Sequence, residues 1–196
     1  MTRDKTITWS LETLRTIHID LDQRRTVKNV SYKINDPDYE TTLELDSHAD
    51  TCVLGHDALI ILDYQQPVTV VGYDESLGTK TYATVSGAVA YDDPQTGRTL
   101  HLVIHQAIHI PHLDHHLLCH MQCCVNDVIA NNLPKFLASD PTDQTHALTI
   151  KDPKNSLQPV TLLSIFRGVT LLLYVRPVTI DEFNSLDHSR LHLTSV

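Results

Sequence analysis

Leu45-Asp46-Ser47-His48-Ala49-Asp50-Thr51 places an acid, a hydroxyl and a small residue directly after an alternating apolar segment. That segment, Thr41-Thr42-Leu43-Glu44-Leu45, has the period of two that marks a half-buried strand. The chain then leaves through Cys52-Val53-Leu54, a second apolar strand. A lone Asp at a strand end is ordinarily a turn or capping residue. Here strands flank it on both sides, the layout that holds a carboxylate rigidly at the floor of a cleft. The Ser47 hydroxyl can brace such a loop, and backbone N–H groups can fix the carboxylate oxygens. Asp50, four residues on, reads as a loop-bracing carboxylate.

Outward from this segment the chain reads as β from Tyr39 to about Pro111. Val68-Thr69-Val70-Val71 is a strand, and Tyr73-Asp74-Glu75-Ser76-Leu77-Gly78 is a turn-rich excursion. Thr79 to Tyr91 forms a strand pair or one long bent strand, relieved at Ser86-Gly87, and Asp92-Asp93-Pro94-Gln95-Thr96-Gly97 signals a hairpin turn. From Thr99 to Ile110, Leu102, Ile104, Ile108 and Ile110 share one face, and His101, His105 and His109 form a polar, solvent-facing row on the other. After Pro111, the spacing of Leu117, Leu118, Met121 and Val125 predicts a short helix within Leu113–Val128. Residues 139–158 are loop-like, and Val160–Phe166 and Val169–Val175 read as a hairpin joined at Arg167-Gly168. The division expected is a leader over 1–38, a β domain over 39–138 and a C-terminal extension over 139–196.

Composition bounds the function. The 196 residues suffice for one packed core with or without an extension. A net charge of −9 argues against a broad nucleic-acid or anionic-membrane footprint, although thirteen His make that sign depend on pH. Three of the four cysteines, Cys119, Cys123 and Cys124, crowd into six residues, a poor disulfide framework. The start, Met1-Thr2-Arg3-Asp4-Lys5, leads into no apolar stretch of the secretory kind. Reduced thiols in an intracellular setting are therefore expected. The apolar stretch Val160–Val175 is interrupted by Arg167 and is too short for a membrane span.

The Asp46 segment resembles the active-site segment of retropepsins, the aspartic proteases of retroviruses and retrotransposons, whose pattern is Asp-[Ser/Thr]-Gly-Ala followed by apolar residues. Later elements follow in order. Val70-Val71-Gly72-Tyr73 to Tyr91 sits where that family has its flap hairpin. Ala107-Ile108-His109-Ile110-Pro111-His112-Leu113 to Leu117-Leu118 resembles the apolar strand and helix that close the domain, most closely in Copia-type retrotransposons. The resemblance covers roughly residues 40–135. It departs from the family at His48, where the pattern has Gly, and at Asp114 or His115, where a Gly precedes the closing helix.

The resemblance implies a mainly β fold, a retropepsin-like closed β barrel with one short helix, to which a C-terminal β hairpin extension is added. It implies that Asp46 is catalytic, that Ser47, His48, Ala49, Asp50 and Thr51 form the active-site loop, and that Tyr73, Asp74, Glu75, Ser76, Leu77 and Gly78 form a flap over the substrate. One motif in a domain of this size implies a homodimer, since no second Asp-Ser/Thr-Gly is present. Two Asp46 carboxylates about 3 Å apart would share one proton and activate water against a peptide carbonyl. The substrate would be the retroelement's own polyprotein, with no cofactor, nucleic acid or membrane involved, in the cytoplasm or within a retroelement particle.

Other chemistries compete. A catalytically inactive remnant would keep the fold and bind peptide or dimerise, with His48 crowding the cleft. A Zn²⁺ module would use His116, Cys119, His120 and Cys123, which align on one face if 113–128 is helical. His101, His105 and His109 lie too far apart on a strand to share an ion. Cys52 with His48 or His56 would make a thiol nucleophile only if the fold oriented them.

Overall fold

The computed structural model describes residues 7–8, 18–19, 41–71, 78–133, 137–142, 144–151, 159–167, 170–185 and 189–195. Two short segments, β1 (Ile7–Thr8) and β2 (His18–Ile19), pair antiparallel with each other. The main sheet begins with β3 (Thr41–Asp46), β4 (Val53–Leu54), β5 (Leu59–Val71), β6 (Thr79–Asp92), β7 (Thr99–His109) and β8 (His116–Cys119). The helix α1 (His120–Val125) follows, then a small meander of β9 (Ile129–Asn132), β10 (His146–Ile150) and β11 (Val160–Leu163). The chain closes with β12 (Ile165–Arg167), β13 (Thr170–Val175), α2 (Ile180–Ser185) and β14 (Arg190–His192). The fold is thus mainly β, as its alternating segments require. No described helix is long and apolar enough to cross a membrane.

The main sheet runs β12-β13-β3-β8-β4-β7-β6-β5, with β14 also on β7. Two features depart from expectation. The path stays open, with no pairing between β12 and β5 among the described residues, so the closed barrel does not form. Among the described residues there are two short helices instead of one. The Val160–Phe166 segment also breaks at Ser164: β11 pairs with β10, while β12 pairs with β13. The β12–β13 hairpin joins the main sheet, because β13 runs antiparallel along the whole of β3, from Leu171 opposite Leu45 to Val175 opposite Thr41.

The helix expected over 113–128 is cut down to α1, and His116–Cys119 becomes a strand. Its apolar spacing does not make a buried face, since Met121 and Val125 are exposed. In β8, by contrast, ladders to β3 on one side and β4 on the other satisfy the backbone, and Leu118 is fully buried. A tertiary context that satisfies both strand edges outweighs the few tenths of a kcal/mol per residue in helix propensity.

The histidine row on β7 is not a solvent face. Gln106, with φ of 51°, bulges the strand. His101 is 0% exposed, stacked on Phe183 of α2 at 5.5 Å, with neither ring nitrogen hydrogen-bonded. A chain of 2.8 Å contacts runs from Tyr64 OH through Ser86 Oγ to His105 Nδ1, and from His105 Nε2 to His192 Nδ1. It joins the consecutive strands β5, β6 and β7 to β14, about eighty residues later in the chain. Burial holds His101, His105, His109 and His192 below the usual imidazole range, with His192 pushing His105 further down and Arg190 doing the same to His192. The unfolded chain therefore takes up protons that the fold resists. Stability is full above about pH 6.5 and falls as the pH drops below it. Urea midpoints are expected to be lower at pH 5.5 than at pH 7.5. His101→Leu is expected to recover about 1 kcal/mol at the acid pH, by removing a buried, unbonded imidazole.

The core centres on Leu43, Leu54, Leu102, Ile104 and Leu118, joined by Leu148 and Leu162 from the small meander. Gly55 is required by close backbone approach: a Cβ there would lie 2.5 Å from the Leu113 carbonyl oxygen and 2.6 Å from that of His115. Both neighbours are backbone and cannot rotate aside. Gly55→Ala is expected to lower stability by roughly 1–3 kcal/mol, the cost of overpacking, read as a lower urea midpoint.

Candidate functional site: the Asp46 loop over the end of β8

The strand order β3-β8-β4-β7 puts β8 between the two strands that flank the Asp46 segment. β3 runs parallel to β8, with Asp46 opposite Cys119, so both strands end at the same edge of the sheet. The chain leaving Asp46 must then arch over the end of β8 to reach β4. Parallel pairing of β4 with β7, Val53 opposite Ile108, fixes its landing point.

Within the arch, Asp46 Oδ1 accepts the His48 N–H at 2.8 Å, and Ser47 Oγ lies 3.2 Å from His48 Nδ1. The Asp46 side chain is 33% exposed and that of His48 95% exposed, with His48 Nδ1 at 4.0 Å from Asp46 Oδ1. His48 does not adopt positive φ, unlike Gln65, Gln106 and Asp127, so the turn accepts a Cβ without left-handed strain. The departure from Gly therefore changes what stands beside the carboxylate and leaves the loop conformation intact. Asp50 is exposed, and Thr51 does the visible bracing: its hydroxyl donates to the Gln106 carbonyl at 3.2 Å.

The β5–β6 hairpin stands where the flap was expected. Of the proposed flap residues, Tyr73, Asp74, Glu75, Ser76 and Leu77 lie outside the described residues, and Gly78 is exposed with φ of 66°. On the flanking strands, Val68 and Val71 expose apolar side chains.

Beneath the arch, Cys52, Cys119 and Cys123 are buried free thiols. Burial pushes the Cys52 thiol up to about 12 and raises Cys123 as well. The Cys52 Sγ accepts the Cys119 N–H at 3.2 Å, while His56 Nδ1 lies 3.0 Å from the Leu113 carbonyl. The thiol–imidazole pairing is not brought together, and burial disfavours a thiolate. Nor is the zinc set. His116 and Cys119 lie in β8, His120 and Cys123 in α1, and His116 faces Asp57. Among the described residues no three His, Cys, Asp or Glu side chains converge as metal ligands.

A polar knot at the opposite end of β8 had no signal in the sequence. His116, 0% exposed, accepts the Gly55 N–H on Nδ1 at 2.9 Å and sets Nε2 3.1 Å from Asp57 Oδ1. The Thr41 hydroxyl donates to the other Asp57 oxygen. Burial would raise the Asp57 carboxyl, but the His116 and Thr41 contacts outweigh it and hold it down at about 2. Thr41, Asp57 and His116 share no local pattern, and only the β3–β8 pairing reveals them as neighbours.

Comparison with models of known protein families, with curated proteins and with solved structures finds no match.

Proposed function

We propose that this chain is an aspartic endopeptidase of the retropepsin type, acting as a homodimer on peptide bonds of a retroelement polyprotein inside the cell. The observation that carries the reading is Asp46 at the end of β3, held by the His48 N–H on a loop arched over β8. An interleaved pair of parallel strands presents a carboxylate at a sheet edge with its backbone already satisfied, and the carboxylate stays partly open to solvent. The long β5–β6 hairpin stands in the chain where the related family has the flap that excludes water from its closed site, and we take it as the cover. Two copies of Asp46 meeting across a two-fold axis share one proton. The ionised carboxylate takes a proton from water as its oxygen attacks the scissile carbonyl. The other carboxylate gives its proton to the carbonyl oxygen; the proton taken from water then passes to the leaving nitrogen, and as the tetrahedral species collapses to acid and amine a hydroxyl proton returns to the dyad.

His48 favours one rival, an inactive peptide-binding or dimerising remnant, because its imidazole occupies the side of Asp46 where the related pattern has no side chain. Peptide cleavage by purified protein across pH 4–7, with and without a statine-containing inhibitor, separates the two. Inhibitable cleavage that rises with the square of protein concentration at high dilution, where the dimer dissociates, supports the protease. A folded dimer that binds peptide and never cleaves it supports the remnant.

A further inference from the structure

The arch from Asp46 to β4 has no ladder of its own, and its polar groups are met from outside: β7 takes the Thr51 hydroxyl on the Gln106 carbonyl and gives the Ile108 N–H to the Cys52 carbonyl, while β8 and α1 hold the remainder. The Cys119 thiol donates to the Ala49 carbonyl at 3.0 Å, and Cys119 N–H donates back to Cys52 Sγ. Gln122 Oε1 accepts the Cys52 N–H at 2.6 Å and lies 3.5 Å from the Thr51 hydroxyl. The Asp46 backbone ends the ladder to β8, but its carboxylate is bonded within its own turn, through the His48 N–H. The direction of the carboxylate therefore depends on the end of β3 and on where the turn that carries His48 is pinned.

We infer that Gln122 and Cys119 are positioning residues for Asp46, clamping the arch to the junction of β8 and α1 so that the carboxylate is presented at one height and angle. The inference rests on the aspartic reading of Asp46 for its functional meaning. Gln122 meets the far end of the arch from the side opposite β7, and Cys119 meets its middle, where β7 makes no hydrogen bond to Ala49 among the described residues, so the two complete a grip that β7 begins at Thr51 and Cys52. A tilt of the arch carries the carboxylate with it, and a misplacement of about 1 Å at a reacting group can cost on the order of a hundredfold in rate. Gln122 touches neither Asp46 nor the space beside it that a substrate would enter. It acts through the backbone of Cys52.

The test compares full-length wild type with Gln122→Leu, which removes the acceptor; Gln122→Glu, which keeps one; Cys119→Ala; and Val89→Ala. The last opens a cavity in the β6–β7 ladder opposite Leu102 and serves as a control for lost stability. Hydrogen exchange of the 47–52 amides is read alongside kcat and KM. Gln122→Leu is expected to speed exchange about tenfold in that segment alone and to lower kcat about tenfold with KM within about twofold. Gln122→Glu should restore both, Cys119→Ala should give a weaker version, and Val89→Ala should speed exchange across the sheet and leave kcat unchanged. Equal kcat losses in Gln122→Leu and Val89→Ala, or unchanged exchange in 47–52, overturn the inference. If wild type cleaves no peptide, the protease reading falls on its own. The clamp is then decided by exchange and by the NMR chemical shifts of the 46–49 amides, which move in Gln122→Leu and not in Val89→Ala if the clamp is real.

Discussion

Asp46→Asn is expected to reduce peptide cleavage by at least about a thousandfold, the scale of a lost acid–base group, with the fold unchanged. The structural half of this expectation follows from the turn. Asp46 Oδ1 accepts the His48 N–H at 2.8 Å, and an Asn side chain keeps that oxygen in place. The substitution removes ionisation without removing the anchor. Asp46→Ala removes both, so it should also loosen the turn, and the two variants together separate chemistry from architecture. His48→Gly is the complementary change. The backbone there needs no glycine, and the imidazole is almost fully exposed, so the substitution removes little packing. If His48 crowds substrate beside the carboxylate, His48→Gly lowers KM and raises kcat/KM; if the imidazole is merely tolerated, both stay put. Cleavage that persists at wild-type rate in Asp46→Asn would remove Asp46 from the chemistry, and the protease reading with it.

Much of the local β structure was legible because it rests on period-two patterning and turn chemistry. Thr41–Leu45 alternates and is β3; the Asp93-Pro94-Gln95-Thr96-Gly97 turn closes β6 onto β7, with the Asp93 carboxylate bonding Gln95 N–H and Gly97 at φ of 66°. The arch around Asp46 was legible for the same reason, since strands enter and leave it. What was not legible depended on non-local pairing. His116–Cys119 carries a helical spacing, and its strand form exists only because β3 and β4 lie on either side of it. His101 alternates with apolar residues as a surface residue would, and it is buried because α2, about eighty residues later, packs Phe183 against it. The Gln106 bulge gave no sign in composition. Gln122 carries no signal of its own in the sequence, and its contact with Cys52 spans seventy positions. Contacts of that separation are set by strand order, which no window of residues encodes.

The strand order in turn depends on the polar knot at the start of β8, where Asp57→Ala is expected to destabilise the protein by about 3 kcal/mol, the scale of breaking a buried pair. The side chains are 8% exposed for Asp57 and 0% for His116, so neither is rescued by water when its partner is lost. Asn at position 57 is not a remedy. The Gly55 N–H already donates to His116 Nδ1, which leaves Nε2 as the nitrogen that must carry a proton. An Asn can accept from Thr41 or from His116 but must then turn its amide N–H toward the other donor, so Asp57→Asn should recover only part of the loss. Thr41→Val, which removes one donor and keeps the shape, should cost less than either, and in a double-mutant cycle with Asp57→Ala the two should be non-additive. The pH dependence has a definite sign. Because the Asp57 carboxyl is held down at about 2 in the fold, its contribution is complete above the ordinary carboxylate value near 3.9 and is lost as the pH falls from there toward 2. Urea midpoints for the three variants at pH 7 and at pH 3 measure this, with the gap between wild type and Asp57→Ala narrowing at the lower pH. Equal midpoints at pH 7 would mean that desolvating the pair consumes all it returns. The parallel alignment of β3 with β8, and with it the height of the Asp46 arch, would then rest on the apolar contacts of Leu43 and Leu118 alone.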